Sequence, residues 1–570
     1  MAAAVLGAGH ASVEFNKHEA LCGAGLLFLL PALLAQGLLK TKEVYHFPQT
    51  HYYGLESIML TLAFMALGRI KNPEQLKQCK PGEIGKIIGL DRIPEVRCLR
   101  DKIKLLSHQQ QAQKLNHLLV DHWYSNPSQE ASFLYVDGHV RIYYGYEANL
   151  PAKFISRQKL CLSATTEYWV NDAAGLPVMM VTGELTEKLQ HAIEEYIVPE
   201  LQKTKLLPSS CTVTGEDKIQ QEDNPAQCDT RPPVFTLVFD REAYEPAFFE
   251  RLWKKYHIAI LTYRKNVKDQ WLEESFKTTE VKVLEQTTTM QICEKEIELN
   301  GVTFREIRRL TGSGHQTAIV TNNRVISKEI AAGRMFGRWS QENFFRYMIL
   351  DYDFDKMIEF GTETIDENKE VVNPLYRQLK HKLKKEKEKT ARVKAKLFPL
   401  AEQSIEVLLE DIPGLTGKQA NLLEQIEKHQ LTEKDLQHQL SKIAARIKLK
   451  DMPGQIRYNK LKNESKMLMN IVKMICYRAE TSVANELAVY LPGGKNEKRM
   501  LVKQIMENNA DLIPNYENKT LTVVLHGLSA PRFNNAVAKL AELLTETQTI
   551  FPGTELVMKF KISAFPNCER

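Results

Sequence analysis

The chain has 570 residues, 43% hydrophobic and 26% charged, which is too long for a single core and too apolar for a disordered or fibrous protein. Its net charge of +6 is too small to indicate a nucleic-acid partner by itself, so the placement of the basic residues matters more than their number. Nine cysteines form no C-x-x-C pair and no zinc-ligand spacing, which excludes a zinc module or disulfide framework and fits a reducing compartment.

Residues 1–130 read as a helical N-terminal domain. The run ALCGAGLLFLLPALLAQGLL, Ala20–Leu39, carries no charge over twenty residues and so meets the length of a membrane span. Pro31 at its centre, Gln36, the nearby Glu14 and Glu19 and the lack of a basic leader all argue against a span or signal peptide. The expectation is a buried helical hairpin with Leu55–Ile70 and no membrane contact. Pro81–Leu106 then reads as helix, turn at Gly89-Leu90-Asp91, and a second helix carrying Arg97, Arg100, Lys102 and Lys104. That is helix-turn-helix spacing, whose second helix enters a DNA major groove. The blander reading is a basic helical hairpin. His117 and His122, five apart, do not share a helix face and read as structural.

The signal changes at Ser132. Residues 131–350 read as an α/β core: strands in SFLYVDGHVRIYYG, LPVMMVTGEL, FTLVFD, IAILTY and TAIVTNN, with helices between them. FTLVFD and IAILTY are unbroken apolar runs, as expected of strands covered on both faces. Residues 208–232 read as a polar loop. Residues 266–315 alternate in β fashion around a turn at Asn300-Gly301 and read as a small antiparallel insertion. Residues 351–450 are charged and helical, with Leu379 and Leu383 hinting at a coiled-coil seam too short to stand alone. Its basic helix reads either as a solvated face or as a DNA-backbone contact. Residues 451–570 read as further helices and a small α+β region.

Three acids have costly settings. Asp137 lies inside a strand, in LYVDGHV. Asp240 closes an apolar strand, in LVFDREAY. Glu342 lies in the aromatic and arginine-rich GRMFGRWSQENFFRYM. A carboxylate in or beside a buried strand needs a partner or a metal. Carboxylates on neighbouring strands and a packed helix suit Mg²⁺, which takes few protein oxygens and keeps room for water and phosphate. Arg338, Glu342 and Arg346 also fall at i, i+4, i+8, so a surface ion-pair ladder is the bland alternative. Trp339 and Phe345 read as core anchors of this helix. No P-loop, H-E-x-x-H or G-x-S-x-G motif is present.

In this order, YVDGHVRIYYG, FDREAY and GRWSQENFF resemble the three catalytic blocks of bacterial insertion-sequence DDE transposases, in the subgroup with a β-rich insertion before the catalytic Glu. The resemblance spans about residues 20–400. It implies an RNase H-like mixed sheet with flanking helices, and Asp137, Asp240 and Glu342 as catalytic and metal-binding residues. It implies two Mg²⁺ ions, with Mn²⁺ as substitute. It also implies double-stranded DNA partners (terminal inverted repeats and target DNA), a homodimer or higher assembly, and a cytoplasmic, nucleoid-associated bacterial enzyme. DNA contacts are expected at Arg338, Arg346, Arg241 and His139, besides the helix-turn-helix residues. Of the family's Tyr-Arg-Glu-Lys signature, Arg338 and Glu342 match; Met335 and Ile349 stand at the Tyr and Lys positions. The alternative expectation is a domesticated or inactive relative that only binds DNA.

Overall fold

The computed structural model describes the chain except residues 1–10, 49–50, 126–131, 156–157, 184–187, 208–230, 285, 355–360, 407–412, 455–456 and 564–570. For Trp339, Lys495 and residues 397–406, 413–416 and 418–419 it describes the backbone alone. The loop expected at 208–232 therefore lies almost wholly outside the described residues. The chain forms two compact units. One draws on the stretches 1–144, 152–360 and 462–570, the other on 145–151 and 361–461.

The first unit begins with a strand, β1 (His18–Leu21), where helix was expected. Its four residues carry no strand pattern, and its pairing partner lies near the other end of the sequence. The apolar run that follows is broken into a 3-10 segment, Ala24–Leu29, and the short helix α1 (Leu30–Ala35). Gly23 and Gly37 bound these pieces with φ of 69° and 87°, a left-handed backbone that glycine adopts without strain. Pro31 falls in the first turn of α1, where no N–H is needed. Leu27 to Leu30 and Leu33 are fully buried, together with nearly all of α2 (Leu55–Leu67). Among the described residues no helix is long and apolar enough to cross a membrane. Helices α3 (Pro81–Ile87), α4 (Val96–Ser107) and α5 (Ala112–Trp123) complete this part.

The central sheet contains β2 (Phe133–Ile142), β3 (Ala152–Ile155), β4 (Leu160–Asn171), β5 (Pro177–Gly183), β6 (Thr236–Phe239), β7 (Ala259–Tyr263), β8 (Lys277–Val283), β9 (Gln286–Leu299), β10 (Val302–Leu310) and β11 (Gln316–Thr321). Its order is β3-β4-β2-β6-β7-β11-β10-β9-β8, with β5 also on β4. β2, β6 and β7 run parallel; the other pairs are antiparallel. β6 and β7 are buried, as their apolar runs predict. The β insertion is part of this sheet, since β11 pairs with β7. Its hairpin turn has Asn300 and Gly301 at φ 54° and 78°, the doubly left-handed turn that the Asn-Gly pair favours.

Even-numbered β2 residues Leu134 and Val136 pack with the helical segment 189–201 and with α6 (Pro246–Tyr256), which joins β6 to β7. Odd-numbered residues face the other side. There Phe133 and Tyr135 meet Ala331 and Met335 of α7 (Lys328–Phe336), and α8 (Trp339–Tyr352) sets Phe344 against Trp169.

The second unit holds two long helices, α9 (Pro374–Glu406) and α10 (Pro413–Ser441), packed on each other. At their base β12 (Thr362–Glu363) and β13 (Glu370–Val372) pair with β15 (Lys460–Leu461) and β14 (Arg446–Lys448). The coiled-coil seam is longer than Leu379 and Leu383 suggest. The inward positions of α9 are Tyr376, Leu379, Leu383, Glu386, Thr390 and Val393, and those of α10 are Leu422, Ile426, His429, Glu433, Leu436 and Leu440. Both runs keep heptad spacing. Polar residues hide the pattern because they pair across the seam: His429 Nδ1 lies 2.9 Å from Glu386 Oε2, and Thr390 Oγ1 donates to Glu433.

The chain then returns to the first unit with α11 (Glu464–Tyr490), α12 (Lys495–Glu507), β16 (Ala510–Asn515), β17 (Thr520–Leu525), α13 (Pro531–Glu546) and β18 (Val557–Ile562). These give a four-stranded sheet, β1-β16-β17-β18. One apolar core joins α1 and α2 to α11, α12 and this sheet. The regions 1–130 and 451–570, distinct in the sequence, thus share their interior.

Candidate active site

The register of the sheet determines which acids meet. Tyr135 pairs with Val238 at the end of the parallel ladder between β2 and β6, and Asp137 and Asp240 each follow that pair by two residues. Asp137 Oδ1 accepts the Gly138 N–H at 2.8 Å. Asp240 ends its strand and caps the 3-10 turn Arg241–Ala243, accepting the Arg241 N–H at 2.6 Å. Capping holds this carboxylate at the end of the sheet, where a pleated strand no longer dictates its direction.

Glu342 comes from the first turn of α8. This helix is fixed by Gln341, which is fully buried. Its Nε2 donates to the carbonyl oxygens of Tyr135 at 3.1 Å and Trp169 at 3.4 Å, and to Asn171 Oδ1 at 3.1 Å. Phe344, Phe345 and Met348 bury the same face, while Glu342 and Arg346 project from the opposite one. Phe345 is a core anchor as expected; the side chain of Trp339 lies outside those described.

Arg338 sits between the acids. Its Nη2 lies 3.6 Å from Asp240 Oδ2 and 3.6 Å from Glu342 Oε1, while its buried Nη1 has no hydrogen-bond partner. Burial raises the Asp137 carboxyl above its usual range, and the charges of Asp240 and Glu342 add to this; Arg338 and the Gly138 N–H oppose it. Asp137, Asp240 and Glu342 therefore share one electrostatic field, with a guanidinium at its centre. Among the described residues, no three His, Cys, Asp or Glu side chains stand close enough together to hold a metal ion. The donor set is all oxygen and the acids repel one another, which suits a hard cation, but Arg338 is the cation between two of them here.

Two neighbours lie outside the expected site residues. Glu242 lies in the turn after Asp240, and its carboxyl is raised by partial desolvation and then by Asp137 and Asp240, with Lys153 and Lys265 opposing. Tyr263 ends β7 one step past the Thr262–Phe239 pair, level with Asp240. The Arg241 guanidinium lies over its ring at 5.4 Å. Glu242 sits in the quoted FDREAY block, yet only the 3-10 turn brings it back toward the site. Tyr263 has no sequence signal beyond closing a strand.

His139 shares the Asp137 face, as spacing predicts, but stacks on Phe345 at 5.7 Å and lies tilted against Phe354 at 4.7 Å, in an aromatic cluster. The α4 residues divide. Arg97, Arg100 and Lys104 line one cleft with Lys77 and Asp101, and Arg100 pairs with Glu74 at 3.1 Å. Lys102 points elsewhere, to His51 and the Phe47 ring. Leu99, Ile103 and Leu106 bury the opposite face of α4.

The fold is mixed α/β, with Asp137, Asp240 and Glu342 sharing one electrostatic field beside its central sheet. The chain matches the Transposase_29 family model, described as a transposase protein, over residues 1–564, and it belongs to that family. No curated protein matches it.

Proposed function

We propose that the chain is a DDE-type transposase of bacterial insertion-sequence type, which hydrolyses phosphodiester bonds at its element's ends and then lets the freed 3′-OH attack a target phosphodiester, forming a new P–O bond as a target 3′-oxygen leaves. The observation that carries this is the pair Asp137 and Asp240, each two residues past the last pair of neighbouring parallel strands, with Arg338 at the N-cap of α8 lying between Asp240 and Glu342. Strand order supports it as well: β5-β4-β2 form an antiparallel meander, β6 and β7 add in parallel, and a β-rich insertion precedes the Glu helix. The RNase H-like part of the reading rests on this order.

Asp137, Asp240 and Glu342 would hold two Mg²⁺ ions, or Mn²⁺ in their place. When bound, such ions activate the attacking water and stabilise the leaving oxygen. Asp137 and Asp240 supply fixed negative charge from the sheet, and Gln341 orients the Glu342 turn. Arg338 neutralises the acids until substrate enters, then turns toward the DNA phosphate that Arg241 and Arg346 also face. α4 would read the terminal inverted repeats through Arg97, Arg100 and Lys104. The enzyme would act as a dimer or larger assembly on paired ends in the nucleoid.

The test is end cleavage by purified protein, Mg²⁺ and DNA carrying the element's flanking repeats. Asp137→Asn, Asp240→Asn and Glu342→Gln should each cut cleavage about a hundredfold or more, as the loss of several kcal/mol of charge stabilisation requires. Repeat-DNA binding should survive. Wild-type cleavage by any one of them would remove that residue from the triad.

A further inference from the structure

The hairpin of the second unit carries an unmatched charge pattern. With the inward residues as a and d, the positions flanking the seam of α9 are Lys380, Lys387 and Lys394 on one side and Lys382, Lys389 and Lys396 on the other, all exposed. In a coiled coil these flanks usually meet opposite charge on the partner helix. On α10 the matching flanks are Leu423, Gln430 and Gln437, and Gln425, Thr432 and Gln439, without one acid. Gln425 and Gln439 instead bond within α10, to Asn421 and Asp435, each at 2.8 Å.

Outside the flanks, Arg377, Lys384, Lys385 and Arg392 cover the back of α9. Over 374–396, where the side chains are described, the acids are Glu386, turned into the seam, and Glu388; Glu402 and Glu406 follow near the end of the helix. Lys389 pairs with Glu386 at 2.6 Å and Lys384 with Glu388 at 4.0 Å. Such a surplus on one helix repels itself, and a helix stabilised by pairing alone would place acids opposite. The Glu386–His429 and Thr390–Glu433 contacts fix the register, so the lysines form ordered rows. Each row repeats every two turns, about 10.5 Å.

We propose that the α9 side of this hairpin is a double-stranded DNA contact surface that grips phosphate without reading sequence. Flexible ammonium groups in parallel rows suit a regular polyanion, and contacts from such point charges to phosphate carry no sequence information. The choice of DNA over another polyanion rests on the transposase reading; the charge asymmetry does not.

The experiment uses the full chain with Lys380, Lys382, Lys387, Lys394 and Lys396 all changed to Gln, and duplex DNA that lacks the element's ends. Affinity should fall about tenfold or more at low salt, and the log-log salt slope should flatten by about 0.9 for each phosphate that is no longer neutralised. Arg at the same five positions should keep both. Lys428→Gln with Lys434→Gln, on α10, should change neither. Unchanged affinity and slope with unchanged helicity by circular dichroism would overturn the proposal. So would a change in oligomer mass, or in binding to anionic vesicles, with DNA affinity intact. The catalytic reading fails separately: if Asp137→Asn cleaves normally while the five-Gln variant loses duplex binding, the hairpin surface stands and the triad does not.

Discussion

Gln341 shows how one buried amide governs the geometry of a neighbour. Its three acceptors belong to β2 and β4, so it ties the first turn of α8 to the sheet that carries Asp137. Gln341→Met fills similar space without donors. It should destabilise the fold by about 1–3 kcal/mol, because the Asn171 amide oxygen and two carbonyls lose a partner. Cleavage should drop through kcat with DNA affinity kept, which denaturant titration and end-cleavage kinetics together would register. Lys473 is a second buried polar case. Desolvation lowers its pKa to about 8, with Asp353 and Glu167 partly opposing. Folded Lys473 thus gives up its proton more readily than in the unfolded chain, where the usual value is 10.5. The cost of burying its charge is fully present below about pH 8 and is relieved as pH rises toward 10.5. Unfolding free energy measured from pH 7 to 10 should therefore climb in wild type relative to Lys473→Met. A constant difference between the two would mean that the buried ammonium stays charged and paired.

At the scale of elements, what the sequence reveals depends on whether neighbours along the chain carry the signal. β6 and β7 are legible because each is an apolar run, and Asp137 and Asp240 stand out because one carboxylate lies inside a strand and the other closes one. β4, the direct partner of β2, is less so: LCLSATTEYWVN mixes polar and apolar residues because its first third is exposed and the rest buried. The seam of α9 is hidden for a related reason. Glu386 and Thr390 occupy inward positions and look like breaks until His429 and Glu433 appear opposite. The bridging role of Arg338 could not be read at all beyond the i, i+4 pair with Glu342, since Asp240 lies 98 residues earlier. The alternation within residues 266–315 indicates strands, but nothing local says that β11 will close against β7 and extend the central sheet.

At the scale of the molecule, the first unit is closed by its own two ends. β1 lies on β16, and Phe15 packs edge-on against Phe551 with ring centroids 4.8 Å apart. Gly25 sits so close to α12 that a Cβ there would overlap the Ile505 carbonyl oxygen. Asp511 is the polar link in this closure: Oδ1 accepts the Ala20 N–H at 2.7 Å and lies 2.8 Å from His526 Nε2. Burial alone would raise its pKa, but these hydrogen bonds and the neighbouring Lys17 leave it below the usual 3.8. A depressed carboxyl pKa stabilises the fold at every pH above the unfolded value, and the contribution is lost as pH falls through the folded one. Asp511→Ala should thus cost about 1–2 kcal/mol near neutral pH, the range for hydrogen bonds to a charged group that is partly open to water. The gap to wild type should close as pH drops below 3.8. Because α1 and α2 share one core with α11 and the C-terminal sheet, the loss should appear in the main unfolding transition of this unit, not as an early step confined to the first residues. An N-terminal region that folded by itself would behave differently: Asp511→Ala would release β1 and leave the main transition where it was. Following the transition by both far-ultraviolet circular dichroism and tryptophan fluorescence separates the two cases, since Trp123 reports from α5 and Trp169 from the central sheet.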